Sequence, residues 1–315
     1  MLNYKKLIEE ILGRNDLGIY DLMKYHFGIN SQVDKKFPYS ELTEIFSRKI
    51  QINENLLVKI ALSIELLNSS FEVHEDVRNG NTERYKSESL WWKYGPAQAI
   101  NVGDGFQAIS RSVLLELSEY SQDYENILRT VAYLDKSIIE VCESENYELR
   151  LQELPQSEIE DHNKIITNKY GSLVSNCFIL PTMLKSSNEQ NLREFADNLV
   201  LFEKLRREID FFKSDDQNDS PQLGSFLSKS KPLSVIIAMK DGDSSLRRKL
   251  GEIYIQRVID PQNIKIIKDL CISEGSLEKV KTISKDHKDL SIEIMNKLSF
   301  EKSEQDTIFS VLENI

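Results

Sequence analysis

Residues Leu57 to Gly80 read LVKIALSIELLNSSFEVHEDVRNG, and this stretch decides the fold. Its large apolar residues recur at steps of three and four along the chain: Leu57, Ile60, Ile64, Leu67 and Phe71. That period places them on one face of an α-helix. A glycine at the end of such a run, here Gly80 followed by Asn81, is typical of a helix terminus. The stretch therefore predicts a long amphipathic helix that ends at Gly80.

The same period recurs through the rest of the chain. A second helix is indicated by Leu192, Phe195, Leu199, Phe202, Ile209 and Phe212. Only 12 glycines and 7 prolines interrupt 315 residues, and no stretch alternates apolar and polar residues as a half-buried strand would. We therefore expect an all-α protein, organised as one helical domain over residues 1–315. Connections are expected near residues 27–40, 77–95, 152–158, 185–190 and 213–230, the last a polar loop.

Charge and composition exclude several classes of protein. A net charge of -11 is the opposite of the basic surface that nucleic-acid binding requires. The three cysteines, Cys142, Cys177 and Cys271, form no CxxC pair, so neither a disulfide framework nor a zinc site is expected. No apolar run reaches the ~18 residues of a membrane span, and the N-terminus lacks the apolar core of a signal peptide. These features predict a cytoplasmic protein.

The polar end of the first helix carries a candidate metal site. Glu72, Glu75, Asp76 and Asn79 share one helical face because they are spaced by three and four residues. Clustered oxygen ligands suit magnesium, a hard ion that commonly bridges carboxylates and phosphates. By itself the pattern is more typical of a solvated acidic helix end.

The sequence around this site resembles a known family. His74-Glu75-Asp76, then Arg84, then Tyr94 to Gly105 resemble the first aspartate-rich region of the polyprenyl synthetases, which are trans-isoprenyl diphosphate synthases. Tyr25 to Gly28 resembles the run that precedes a substrate-binding basic segment in that family. Further similar segments are Cys142 to Glu145, a Glu-Gly-Gln turn in the family; Lys169 to Leu173; and Leu227 to Val235.

The resemblance implies a helical bundle around a central cavity and a transferase that joins an allylic diphosphate to isopentenyl diphosphate. It also implies magnesium ions bound by two acidic motifs, here Glu75, Asp76 and Asn79 in the first and Asp210 in the second. By position, Glu75, Asp76 and Lys169 would serve catalysis. Substrate diphosphates would be contacted by Lys35, Arg84, Lys169, Arg206, Arg207 and Lys231. Phe71, one turn before the motif, would floor the cavity and favour a short product, and a homodimer or a heterodimer with a related synthase is expected.

Both metal motifs depart from the family pattern. The first has glutamate at residue 75 and asparagine at residue 79 in place of aspartates. The second reads Arg206-Arg207-Glu208-Ile209-Asp210, and an arginine cannot ligate a metal ion. We therefore expect fewer magnesium ions than usual, or none. A literal DDxxD follows at Asp215, Asp216 and Asp219; its place in the polar loop favours a solvated loop over a replacement metal site.

Three functions remain open at this point. The first is an active short-chain prenyl diphosphate synthase in which Arg206 and Arg207 neutralise diphosphate directly. The second is an inactive homologue, a prenyl diphosphate binder or partner subunit, in which Glu75 and Asp76 pair with the two arginines. A terpene cyclase is the third and the least favoured, because its second metal motif is missing from residues 192–212.

Overall fold

The computed structural model describes residues 2–29, 35–154, 156–185, 191–214, 221–227 and 229–315. The chain divides into two compact units. Unit 1 comprises residues 1–137, 173–192 and 300–315, and unit 2 comprises residues 138–172 and 193–299. The organisation of residues 1–315 as one domain stays a prediction. Within the described residues, no helix is long and apolar enough to cross a bilayer.

Helices dominate both units. In chain order they are α1 (Tyr4–Leu12), α2 (Gly18–His26), α3 (Pro38–Lys49), α4 (Glu54–Asn79), α5 (Leu90–Tyr94), α6 (Pro96–Leu115), α7 (Tyr124–Glu153), α8 (Ile159–Ile166), α9 (Ser172–Leu184), α10 (Leu192–Lys213), α11 (Pro221–Leu227), α12 (Leu233–Asp241), α13 (Ser244–Tyr254), α14 (Pro261–Ser273), α15 (Ser276–Lys297) and α16 (Lys302–Leu312). A 3₁₀ turn follows α6 at Glu116–Glu119, and a π-helical turn joins α8 to α9 at Thr167–Gly171. The predicted all-α class is confirmed.

In unit 1, α4 is the central helix. It packs against α3, α5, α6 and α1. The predicted apolar stripe is buried, and Ile60, Ile64 and Leu67 are fully shielded from solvent. The helix begins after Asn53, whose side chain accepts a hydrogen bond from the backbone N–H of Asn55. A buried helix of this length gives its polar C-terminal end a fixed position.

The core of unit 2 lies around α12. This helix contacts α8, α13, α14 and α15. The core side chains come from α10 to α15 and include Leu205, Leu233, Leu250, Ile267 and Val280. The predicted helix at residues 192–212 is therefore confirmed as α10.

Three local predictions are wrong. The sequence predicts no strand, but β1 (Glu83–Arg84) and β2 (Ser87–Glu88) form a hairpin whose two-residue strands are too short to show a period. The polar loop predicted at residues 213–230 contains α11, whose Phe226 is buried against Phe211 and Phe212. Residues 142–145, which resemble a turn, lie in the middle of α7, since no glycine interrupts the helix there.

Candidate functional site

The polar end of α4 is fixed by its cap. Gly80 has a left-handed backbone, with φ of 69°, and its N–H donates to the carbonyl of Asp76. This conformation favours glycine because it lacks a Cβ. The predicted end of the helix at Gly80 is confirmed, and the last turn holds Glu75 and Asp76 beside the hairpin that follows.

The β1–β2 hairpin brings two side chains back onto α4. Its two-residue loop consists of Tyr85 and Lys86, which have φ values of 53° and 62°. Two positive φ values in a two-residue hairpin loop define a type I′ turn, which normally uses glycine or asparagine. Bulky residues there carry backbone strain of about 1–3 kcal/mol each. The turn places Tyr85 and the preceding Arg84 against α4.

Arg84 binds the first acidic motif directly. Its Nε and Nη2 atoms donate to Oδ2 and Oδ1 of Asp76 over 2.8 and 2.7 Å, and Nη2 also donates to Glu75 Oε2 over 3.2 Å. Such a two-pronged contact between guanidinium and carboxylate is strong and directional. The pKa of Asp76 is raised overall, because the effect of burial outweighs the hydrogen bonds from Arg84, which lower it. The pKa of Arg84 is raised well above its usual value because the acidic partners outweigh its desolvation.

Glu72 lies one turn earlier on the same face, and its hydrogen bonds are to other residues than Arg84. Its Oε2 lies 2.7 Å from Lys35 Nζ and 2.9 Å from His26 Nε2. Its Oε1 accepts hydrogen bonds from the Asn68 amide at 2.9 Å and from the Tyr85 hydroxyl. Lys35 and His26 hold the pKa of Glu72 well below its usual value, against the effect of burial. The carboxylate is therefore ionised at neutral pH.

Lys35 and His26 are themselves buried polar groups. Lys35 is 3% exposed, and its ammonium lies over the rings of Phe27 and Tyr85, 4.7 and 4.6 Å from their centres. Burial and the charge of Lys35 lower the pKa of His26 to about 4, so the imidazole is neutral at pH 7. A cation so fully removed from water needs a close anion, which Glu72 supplies.

The side chains of the first motif, as arranged, do not fit a magnesium site. Both oxygens of Asp76 and one of Glu75 accept from Arg84, and the side-chain oxygen of Asn79 accepts from Arg78 at 3.2 Å. A metal ion would have to displace a guanidinium from each carboxylate. Among the described residues no group of three or more acidic, histidine or cysteine side chains is arranged to hold a metal. The metal role expected of Glu75, Asp76 and Asn79 stays a prediction.

In the second motif, on α10 of unit 2, the arginines form ion pairs with acidic residues of the same helix. Nη2 and Nε of Arg206 donate to the two carboxylate oxygens of Glu203 over 2.8 and 2.9 Å. Arg207 Nε donates to the same Glu203 over 2.8 Å, and Arg206 Nη1 donates to Asp210 over 2.8 Å. Two cations facing two anions leave this turn nearly neutral. Asp210, the expected metal ligand, is thus bound by arginine, and Asp215, Asp216 and Asp219 lie outside the described residues.

Lys169 occupies the π-helical turn of unit 2. Its ammonium is buried, 3.6 Å from Glu145 and 3.7 Å from Glu148 of α7. The turn ends at Gly171, where an added Cβ would lie 2.2 Å from a carboxylate oxygen of Asp197. Single π-helical turns occur frequently at functional sites.

Lys231 and Phe71 are the remaining predicted contacts, one in each unit. Lys231 precedes α12, and its ammonium donates to the carbonyl of Leu151 over 2.7 Å. Burial lowers its pKa to about 8, so part of the population is neutral in mildly alkaline solution. Phe71 is buried on α4 one turn before Glu75, as expected.

Comparison with known proteins assigns the family. Residues 40–270 match the family model described as polyprenyl synthetase. The chain belongs to the polyprenyl synthetase family. It is 22% identical over 237 residues to a short chain isoprenyl diphosphate synthase from Methanocaldococcus jannaschii, covering 72% of this chain and 69% of that one. It is 20% identical to a geranylgeranyl diphosphate synthase from Mycobacterium tuberculosis, covering 62% and 55% respectively.

Solved structures of the family have the same fold. A polyprenyl synthetase from Streptomyces coelicolor superposes with a TM-score of 0.83 at 19% identity, covering 99% of this chain and 95% of that one. A polyprenyl synthase from Caulobacter crescentus, complexed with calcium and isoprenyl diphosphate, gives 0.80 at 16% identity, covering 99% and 96%. Together the matches support a prenyltransferase, and they lend no support to an inactive homologue.

The site residues predicted from the sequence are divided between the two units. Unit 1 brings together Lys35, Arg84, Glu75, Asp76 and Asn79 at the end of α4. Unit 2 holds Arg206, Arg207 and Asp210 on α10, with Lys169 and Lys231 elsewhere in that unit. The pairing of Glu75 and Asp76 with the two arginines stays a prediction, since each group has partners within its own unit.

The roles of three residues are not evident from the sequence. The spacing of Glu72 predicts a metal ligand, but its carboxylate turns toward Lys35 and His26. Tyr85 showed no signal, because its role depends on the hairpin. Glu203 binds Arg206 and Arg207, and its position one turn before them is a signal that the i, i+3 and i, i+4 rule detects.

Proposed function

We propose that this polyprenyl synthetase condenses an allylic diphosphate with isopentenyl diphosphate to give a short-chain prenyl diphosphate. Membership of the family supports the reaction class, and the relatives named as short chain and geranylgeranyl synthases support the product class. The observation that carries the proposal is the presence of two cations, the buried Lys35 and the partly buried Arg84, at the acidic end of α4. These cations are the groups that a substrate diphosphate would need.

The reaction defines what the chain must supply. The allylic C–O bond breaks, and the diphosphate leaves with the electron pair. The alkene of isopentenyl diphosphate then attacks the allylic cation, a C–C bond forms, and one proton is lost from the new cation. Negative charge accumulates on the leaving oxygen, so fixed cations near it lower the barrier.

The roles follow from the charge of each group. Lys35 and Arg84 in unit 1, and Lys169, Arg206, Arg207 and Lys231 in unit 2, are the proposed diphosphate contacts. Glu75 and Asp76 hold Arg84 in place through the contacts at 3.2, 2.7 and 2.8 Å. The family uses magnesium to bind diphosphate. Fewer ions, or none, are proposed here because these carboxylates are already paired with arginine.

Product length depends on the floor of the substrate cavity. Phe71 is a bulky, buried side chain one helical turn before Glu75. We propose that it limits chain growth, which agrees with a short product. It also continues the apolar stripe of α4, and one side chain can serve both purposes.

A product assay tests the proposed function. Purified protein is incubated with magnesium, isopentenyl diphosphate and each short allylic diphosphate, and product length is read by chromatography. We expect short-chain products, with turnover lowered about 100-fold in Asp76→Asn, because Arg84 loses its charged anchor. Asp306→Asn, an exposed carboxylate on α16 paired with Lys302, is the matched control and should retain full turnover.

The opposite result has a clear meaning. A folded wild-type protein that makes no product from any allylic substrate would reject the synthase proposal. It would favour the prenyl diphosphate binder or partner subunit. The assay is therefore repeated with an active synthase added, since a partner subunit would change the rate or the product of that enzyme.

We also propose a homodimer, or a heterodimer with a related synthase, located in the cytoplasm. The support for a dimer is the exposure of large apolar side chains on α6 and α7 of unit 1: Ile100, Leu115, Tyr124 and Leu128. Exposed apolar residues of this size often mark protein–protein contacts. A single domain over residues 1–315 is part of the same proposal.

A further inference from the structure

The Glu72 carboxylate fills a socket of hydrogen-bond donors. Lys35 and His26 approach one oxygen, and Asn68 and Tyr85 approach the other. The donors come from several elements: His26 ends α2, Lys35 precedes α3 and Tyr85 lies in the hairpin after α4, while Asn68 shares α4 with Glu72. An anion held on all sides by donors from separate elements indicates an anion site, not a chance ion pair on one helix face.

The donor set is one that suits a phosphate group. An ammonium, a phenol, an amide and an imidazole converge on Glu72, and Arg84 Nη1 lies 4.0 Å from its Oε1. Positively charged and neutral donors of this kind make short, strong hydrogen bonds to phosphate oxygens. The Lys35 ammonium packs against two aromatic rings, and this packing restricts its movement within the socket.

A small cleft opens beside the socket. It is lined by Tyr25, His26, Arg84, Tyr85 and residues 87–90. His26, Arg84 and Tyr85 therefore belong both to the cleft wall and to the surroundings of Glu72. An anion entering the cleft would meet His26, Arg84 and Tyr85, three of the residues that surround the Glu72 carboxylate.

We propose that Glu72 is a built-in competitor for diphosphate: its carboxylate occupies the anion site formed by Lys35, Tyr85 and Arg84. A diphosphate group binds there only when the Glu72 side chain leaves the socket. The assignment of diphosphate as the ligand rests on the proposed function, whereas the socket itself does not. Glu72 would thus keep substrate affinity low in the resting protein.

Binding of inorganic diphosphate to the full-length protein tests this directly. Isothermal titration calorimetry compares the wild type with Glu72→Gln. This substitution keeps the size of the side chain and one hydrogen-bond acceptor but removes the competing charge. We expect diphosphate to bind about 10-fold more tightly, or better, to Glu72→Gln, an effect of ~1.4 kcal/mol. Adding Lys35→Met to this variant should abolish the gain, because the principal cation of the socket is lost.

Glu44→Gln is the matched control. Glu44 is a buried carboxylate on α3 that accepts hydrogen bonds from Tyr4 and Arg48, two residues that are not part of the socket. Its loss should leave diphosphate affinity unchanged. If Glu72→Gln does not fold, Glu72→Asp replaces it: the shorter stem withdraws the carboxylate from Lys35, and a smaller gain in affinity is expected.

Two results would overturn the proposal. One is a folded Glu72 variant that binds diphosphate no more tightly than the wild type. The other is a gain that persists in the double variant with Lys35→Met, which would place the anion elsewhere. Failure of the proposed function is distinguishable, because a protein that makes no prenyl product can still show the Lys35-dependent gain. A productive synthase without that gain refutes only the role of Glu72.

Discussion

Glu65 is an acidic residue whose surroundings disfavour its ionised form. It is fully buried in α4, and its Oε2 accepts a hydrogen bond from the backbone N–H of Ser40 over 3.0 Å. Within the described part of the chain, its Oε1 has no hydrogen-bond partner. Burial raises the pKa of Glu65 to about 8 from an ordinary value of 4.5. The folded protein therefore holds a proton here at neutral pH that the unfolded chain has released.

The sign of the pH dependence follows. Between pH 4.5 and about 8 the folded state binds the additional proton, so this contribution to stability is greatest below pH 4.5 and is lost as pH rises through 8. Glu65→Gln cannot ionise and should be more stable than the wild type at pH 9 by about 1–3 kcal/mol. Urea unfolding at pH 6 and pH 9 measures this. A difference between the two proteins that does not increase with pH would contradict it. Glu252→Gln, at an exposed carboxylate on α13, serves as the control.

The contact between α4 and α6 depends on a glycine, Gly103. Gly103 of α6 faces His74 of α4, and a Cβ at residue 103 would lie 2.2 Å from the His74 ring nitrogen Nε2. His74 comes directly before Glu75, so any displacement of the ring is passed to the acidic end of α4. Close packing of these two helices therefore requires glycine at this position.

Replacing that glycine should separate the helices. Gly103→Ala is expected to destabilise the protein by about 1–3 kcal/mol, because the added methyl group overpacks the contact. The matched variant Gly251→Ala in α13 adds a methyl group where no atom lies within 4 Å. It should be neutral or stabilising by up to ~1 kcal/mol through better helix propensity. Urea unfolding of both variants gives the comparison, and equal stabilities would disprove the packing argument.

Assembly of the chain is a property of its surface as a whole. If the exposed side chains on α6 and α7 form an interface, light scattering should give twice the chain mass of 36.5 kDa. Leu128→Arg, at a side chain that is 63% exposed, should shift the protein to monomers, since it places a charge in an apolar contact. Ile255→Arg, 82% exposed and in unit 2, should not. A wild-type protein of monomer mass would reject the proposal.

The whole architecture was predictable to a greater extent than the site. The stripe from Leu57 to Phe71 predicts α4 because helical periodicity depends on neighbouring residues alone. The partners of Asp76 and Glu72 depend on packing between segments, such as Arg84 from the hairpin and Lys35 from before α3. The sequence pattern also gives no signal for the π-helical turn that contains Lys169, where Gly171 packs close to Asp197 of α10.

The type I′ turn at Tyr85 and Lys86 has a consequence for how the two positions tolerate mutation. Both residues have left-handed backbone conformations, but Tyr85 offsets the strain with a partly buried hydrogen bond from its hydroxyl to Glu72. A library randomised at both codons and selected for thermal resistance should therefore diverge between them. Glycine and asparagine should accumulate at residue 86, where they relieve strain at no cost, while tyrosine should persist at residue 85.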